Sequence, residues 1–280
     1  MIIRSIKKMH SCSRSLAARR KRIGLVPTMG FLHDGHLALI RRAKKEADVV
    51  ITSIFVNPTQ FAPHEDFSRY PRDEKGDIRK IKSAGGDIVF IPRAKDVYPE
   101  SFQTYVTVER LSEPLEGSVR PGHFRGVATI VAKLFNITRP DVAVFGMKDF
   151  QQSAVLKQMT ADLGYPVKYV VAPTVRESDG LAMSSRNKYL DATARREALC
   201  LYYSLRTAQQ LVRAGERRTA RIAREMRAVI RATCPTGNID YVAFTDMQTL
   251  KPVKMVQRGT VVSMAVRVHG VRLIDNMKLR

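Results

Sequence analysis

With 280 residues, 44% of them apolar, the chain is long enough to bury one large core and a smaller second one, and it has no apolar run of the ~18 residues a membrane-spanning helix needs. Three scattered cysteines, Cys12, Cys200 and Cys234, argue against a disulfide framework or zinc module, and the basic segment from Met1 to Arg22 lacks the apolar stretch of a secretory signal, so a cytoplasmic protein is expected. The formal charge of +22 raises nucleic acid as a partner, but the cations are dispersed over Arg19-Arg20-Lys21-Arg22, Arg41-Arg42, Lys44-Lys45 and Arg217-Arg218 with no aromatic-interleaved groove, so neither nucleic acid nor a membrane is expected as a partner.

In chain order, Ile23 to Val26 reads as a strand ending at Pro27, followed by a loop and a helical pattern from Gly35 to Ala47. Val49 to Val56 is a β-branched strand closed by Asn57-Pro58, and a helix from about Asp73 to Ala84 stops at Gly85-Gly86. Ile88 to Ile91 is a strand, Thr104 to Val108 alternates weakly, and a helix runs from about Gly126 to Ile137. Asp141 to Phe145 and Lys168 to Val171 are strands flanking a helix from Asp149 to Leu163. This alternation predicts a Rossmann-like α/β domain, a parallel sheet with helices on both faces, over residues 1–176. From Asp191 the texture changes to two helices and then the strands Ile239 to Phe244, Thr260 to Val268 and Arg272 to Ile274, a smaller α+β domain over residues 177–280. Parallel sheets bind ligands beyond the carboxyl ends of their strands, and the loops after Val26, Val56 and Phe145 lie there.

Those loops carry the chemistry. In Pro27-Thr28-Met29-Gly30-Phe31-Leu32-His33-Asp34-Gly35-His36, two histidines sit where a strand hands over to a helix N-terminus, whose free N–H groups favour phosphate. Imidazoles there can donate to phosphoryl oxygens as charge builds. In Gly146-Met147-Lys148-Asp149, the glycine permits close approach, Lys148 offers a charge for phosphate, and Asp149 either accepts from ribose or caps the helix. Asn57-Pro58-Thr59-Gln60 offers neutral amides, suited to an acid whose carboxylate must stay nucleophilic, or simply forms a turn. Ser184-Ser185-Arg186, in a loop after Gly180, suits a polyphosphate tail.

Together and in this order, these segments resemble the pantothenate synthetase family, nucleotidyltransferases with an HxGH signature. The resemblance extends to Phe67 to Arg72, Leu115-Glu116-Gly117, Arg120 to Val127, Pro173 to Glu177 and Arg272 to Asn276. It implies ATP-dependent joining of pantoate to β-alanine through an acyl-adenylate, with Mg2+ accompanying ATP, in a homodimer. By position it implies His36, His33 and Lys148 as catalytic residues. It places ATP on Thr28, Met29, Gly30, His33, His36, Gly146, Met147, Lys148, Asp149, Val175, Met183, Ser184, Ser185 and Arg186. Gln60, Gln152, Asn57 and Tyr70 would bind pantoate and β-alanine, with Glu116 and Arg120 in support. Asp77 is a weak magnesium candidate, and the metal ligands are otherwise unassigned. Met147, Asp34 and Thr59 depart from the residues common in the family. The small domain is expected to act as a lid hinged near Glu177 to Gly180. A different HxGH nucleotidyltransferase, acting on a phosphorylated cofactor precursor, is the alternative; the paired glutamines and the Arg120 to Val127 stretch favour the synthetase.

Overall fold

The computed structural model describes residues 1–63 and 65–279. The chain divides into two compact units, Met1–Met147 with Gln151–Pro173, and Lys148–Phe150 with the residues from Thr174 onward. A single cut at residue 176 does not describe this division, because residues 148–150 pack with the second unit.

The first unit is built on a sheet of six strands: β1 (Ile2–Ile3), β2 (Ile23–Thr28), β3 (Val49–Ile54), β4 (Ile88–Phe90), β5 (Val142–Gly146) and β6 (Lys168–Ala172). Their spatial order is β1-β4-β3-β2-β5-β6 and every pairing is parallel. Successive side chains point to opposite faces, so Leu25, Ile51, Phe90 and Ala143 join one core while Val26, Val50, Val89 and Val144 join the other. Helices Ile6–Ala18 and His123–Thr138 supply Met9, Val127, Val131 and Phe135 to the first core; helices Asp34–Lys44 and Glu74–Ser83 supply Leu37, Ile40 and Ile81 to the second. Chain order runs outward in one direction from β2 through β3 and β4, and in the other from β5 to β6. The switch point, where such sheets bind ligands, is therefore between the carboxyl ends of β2 and β5.

Two segments differ from the sequence expectation. The N-terminal segment forms β1 and the Ile6–Ala18 helix. Thr104 to Val108 is not a strand; the Val106 N–H donates to Thr129 Oγ1 at 3.0 Å.

The second unit contains the antiparallel sheet β7 (Asn238–Asp246), β8 (Thr260–Val268) and β9 (Val271–Lys278), in that order. Helices Cys200–Arg213 and Thr219–Thr233 cover it, burying Leu201, Leu205, Ile222 and Met226 against Val262, Met264 and Val266.

Candidate active site

At the end of β2, Thr28 Oγ1 donates to the Ser53 carbonyl at 2.7 Å and accepts the Gly30 N–H at 3.2 Å. The chain then turns through positive φ at both Gly30 (+87°) and Phe31 (+52°). A Cβ on Gly30 would sit 3.0 Å from the Ile54 side chain and 3.1 Å from Asp77 Oδ2, so glycine is required for conformation and for space. Phe31 has no such licence, and its unfavourable backbone is held from outside. The Asp77 carboxylate accepts the N–H of Phe31 and that of Leu32, each at 2.7 Å, while Lys80 Nζ donates to the Leu32 carbonyl at 2.7 Å. Asp77 is 1% exposed and burial raises its pKa above the ordinary carboxylate value. Both Asp77 oxygens are engaged by loop amides in a buried setting, which is the geometry of a loop clamp. Among the described residues, no group of three or more His, Cys, Asp or Glu side chains is arranged to hold a metal.

The clamped loop delivers His33 as the N-cap of helix Asp34–Lys44, with His36 in its first turn. The two rings lie 4.1 Å apart between centroids. His36 Nδ1 accepts the His33 backbone N–H at 3.3 Å. In the neutral ring the proton therefore sits on Nε2, which becomes the donor.

Beside this loop, the turn after β3 is organised around Asn57, which is 1% exposed. Its Nδ2 donates to Gln60 Oε1 and to the Gly126 carbonyl, both at 3.1 Å. Its Oδ1 accepts from Tyr98 OH at 2.9 Å and from Thr59 Oγ1 at 3.0 Å. Burial pushes the Tyr98 hydroxyl up to about 12, so it remains a donor. With its oxygen committed to Asn57, Gln60 presents its NH2 group, and Nε2 lies 3.0 Å from Met29 Sδ in the β2 loop. Helix His123–Thr138 approaches so closely that a Cβ on Gly126 would be 2.3 Å from the Thr59 carbonyl oxygen. Tyr70 is buried edge-on to Phe61, their ring centroids 5.9 Å apart.

Gly146 ends β5 and Met147 begins the short turn after it. Gln152 lies half-buried in the first turn of helix Phe150–Asp162. Its neighbour Gln151 is occupied structurally, donating to the carbonyls of Leu111 and Pro114 and accepting the Glu116 N–H.

The Gln60 amide thus lies against the β2 loop. The pantoate-beta-alanine ligase family model matches residues 1–278. The chain belongs to that family. It is 53% identical to the pantothenate synthetase of Moorella thermoacetica over 267 residues, 94% of each chain. It is similar in structure to the pantothenate synthetase of Thermus thermophilus, with a TM-score of 0.94, 43% identity and 99% of each chain covered. The Francisella tularensis pantoate-beta-alanine ligase, solved in complex with beta-gamma ATP and beta-alanine, matches with a TM-score of 0.83 at 35% identity, covering 100% of this chain and 97% of that one.

In this member of the pantoate–β-alanine ligase family, the remaining candidates belong to the second unit. Lys148 is held through its carbonyl, which accepts from Asn276 Nδ2 at 2.8 Å, and its Nζ is 3.4 Å from Asp149. Val175 accepts the Met183 N–H at 3.1 Å, closing a tight turn that leads into Ser184, whose Oγ accepts the Arg186 N–H at 3.2 Å and caps the short Ser185–Tyr189 helix. The Glu177 to Gly180 stretch, where a hinge is expected, makes several side-chain contacts within this unit. Arg195 pairs with both Glu177 and Asp179, Asn187 donates to Glu177 at 2.8 Å, and a Cβ on Gly180 would strike the Tyr202 ring. Tyr98 and His123 were not assigned roles by sequence reading; His123 lies within a family-like stretch, but only its contacts reveal what it does.

Proposed function

We propose that this chain condenses (R)-pantoate with β-alanine to pantothenate, using ATP and passing through a pantoyl-adenylate. The observation that carries this reading is Gln60 Nε2 resting 3.0 Å from Met29 in the phosphate-type loop: a neutral acid-binding amide lies against the place where a nucleotide's phosphates would sit. The Francisella relative's complex with beta-gamma ATP and beta-alanine supports ATP and β-alanine as substrates.

In the first step, a pantoate carboxylate oxygen attacks the α-phosphorus of Mg·ATP and the bond to pyrophosphate breaks. In the second, the β-alanine amine attacks the acyl carbon, AMP departs with the C–O bond electrons, and the amine loses a proton. A carboxylate is a poor acyl donor because oxide is a poor leaving group; AMP removes that barrier. Gln60, Gln152 and Tyr70 orient the acid without an ion pair that would blunt it, and Asn57 holds the Gln60 amide in place. The Nε2–H of His36 and the first N–H groups of helix Asp34–Lys44 stabilise charge on the phosphoryl oxygens. In the second unit, Lys148, Ser184, Ser185 and Arg186 offer cations and hydroxyls of the kind a polyphosphate binds. Magnesium enters as part of the Mg·ATP substrate. The family resemblance supports a homodimer.

The test is pyrophosphate–ATP exchange without β-alanine. Exchange should require pantoate, and adding β-alanine should then release AMP and pantothenate in equal amounts. Exchange supported by phosphopantetheine or nicotinate mononucleotide but not by pantoate would replace this reading with another nucleotidyltransfer.

A further inference from the structure

The turn that presents Gln60 is weakly held by its own backbone: the Gln60 N–H reaches the Asn57 carbonyl at 3.4 Å, and the Phe61 N–H reaches that of Pro58 at 3.3 Å. A stronger contact comes from the first turn of helix His123–Thr138. His123 Nδ1 lies 2.9 Å from the Gln60 carbonyl oxygen, and His123 Nε2 lies 3.1 Å from Arg120 Nη1. A carbonyl only accepts and a guanidinium only donates, so the ring must be neutral, with its proton on Nδ1 and its lone pair on Nε2. Burial, reinforced by the charge of Arg120, lowers the His123 pKa to about 4, which preserves this state at neutral pH. Arg120 is itself fixed: Nε and Nη2 meet the two oxygens of Glu65 at 2.6 and 2.8 Å, and Nη2 is 3.4 Å from the Gln60 carbonyl. One helical turn beyond His123, Gly126 lets the helix backbone lie against the same turn.

We propose that His123 is a positioning residue for the acid substrate, its Nδ1–H holding the Gln60 carbonyl and so setting the rotation of the Pro58–Gln60 turn that aims the Gln60 amide. Glu65 and Arg120 complete the device by locking the ring tautomer. The proposal rests on the reading of Gln60 as a pantoate-holding residue. A displacement of about 1 Å in a positioned group lowers turnover by up to ~100-fold, so this bond has leverage although His123 touches no reacting atom.

Two measurements test it. His123→Ala should raise the pantoate KM by about 10-fold or more while changing the ATP KM by less than about 2-fold, and His123→Asn, whose Nδ2 occupies the place of Nδ1, should recover most of the loss. Nitrogen-15 spectra of the wild-type ring at neutral pH should show a protonated Nδ1 and a bare Nε2. A protonated Nε2 would overturn the proposal, whether or not either variant folds. Pantoate KM values unchanged in folded His123→Ala, or raised equally in folded Ala and Asn variants, would overturn it too. Absence of pantoate-dependent exchange in the wild-type protein would instead sink the functional reading itself.

Discussion

The carboxylate of Asp77 accepts the backbone N–H of Phe31 at 2.7 Å from a helix 46 residues further along the chain. Its second oxygen takes the N–H of Leu32, so one side chain determines the shape of the loop that carries His33 and His36. In Asp77→Asn, one of these N–H groups faces an NH2 group and loses its acceptor. The variant is expected to lose about 1–3 kcal/mol of stability and to slow pyrophosphate exchange by about 10- to 100-fold. Urea unfolding and exchange rates check both; wild-type exchange in a folded Asp77→Asn protein would contradict the clamp.

Replacing His36 by alanine removes the proposed phosphoryl donor and the acceptor for the His33 N–H. Exchange should fall by about 100- to 1,000-fold, the range seen for single donors to developing charge. Stability should fall by only about 1 kcal/mol, the value of one capping bond at a helix N-terminus. Equal exchange in variant and wild type would remove His36 from the chemistry.

Gly126→Ala places a methyl group 2.3 Å from the Thr59 carbonyl oxygen and 2.7 Å from the Gln60 nitrogen. Backbone cannot yield as a flexible side chain can, so helix and turn must separate, at about 1–3 kcal/mol. The pantoate KM should rise more than the ATP KM. Steady-state kinetics with each substrate varied in turn would show whether the damage is confined to the acid pocket.

His123 predicts an acid-side loss of stability. Its folded pKa is about 4, against 6.5 for an unperturbed histidine, so between those values the unfolded chain binds a proton that the folded chain refuses. The contribution is fully present above pH 6.5 and is lost progressively as pH falls toward 4, a change of about 3 kcal/mol. Arg120, Glu116, Glu65 and the Gln60 carbonyl face the ring. The informative quantity is the difference between wild type and His123→Asn, which has no titrating ring. Parallel unfolding free energies for the two proteins from pH 4.5 to 7.5 would refute the assignment.

Much of this architecture is written in local pattern. β-Branched runs such as Val49 to Thr52 alternate with amphipathic stretches, and the central strands of the parallel sheet send neighbouring residues to opposite cores. Glycine and histidine types at strand ends point to phosphate because backbone freedom and helix N-termini are local properties. The N-terminal strand and helix escaped this kind of reading. β1 has only Ile2 and Ile3, and the helix after it carries Lys7, Lys8 and Arg14 and buries little beyond Met9 and Ser13.

The site is divided along the same line. Residue types and their spacing single out His33, His36, Asn57 and Gln60 as candidates, because a short motif brings its own geometry. The hidden supports were not legible: Asp77 under the phosphate loop, Tyr98 and Gly126 around Asn57, His123 behind Gln60. These contacts join residues between 41 and 69 positions apart, and their meaning rests on burial and hydrogen-bond direction. Asp77 clamps the loop because both its oxygens meet backbone N–H groups. Local chemistry, carried in the order of residues, determined the family of reaction and most of the strands and helices. Packing alone decided which polar groups were removed from water, and a buried polar group takes its role from the partner it must find there.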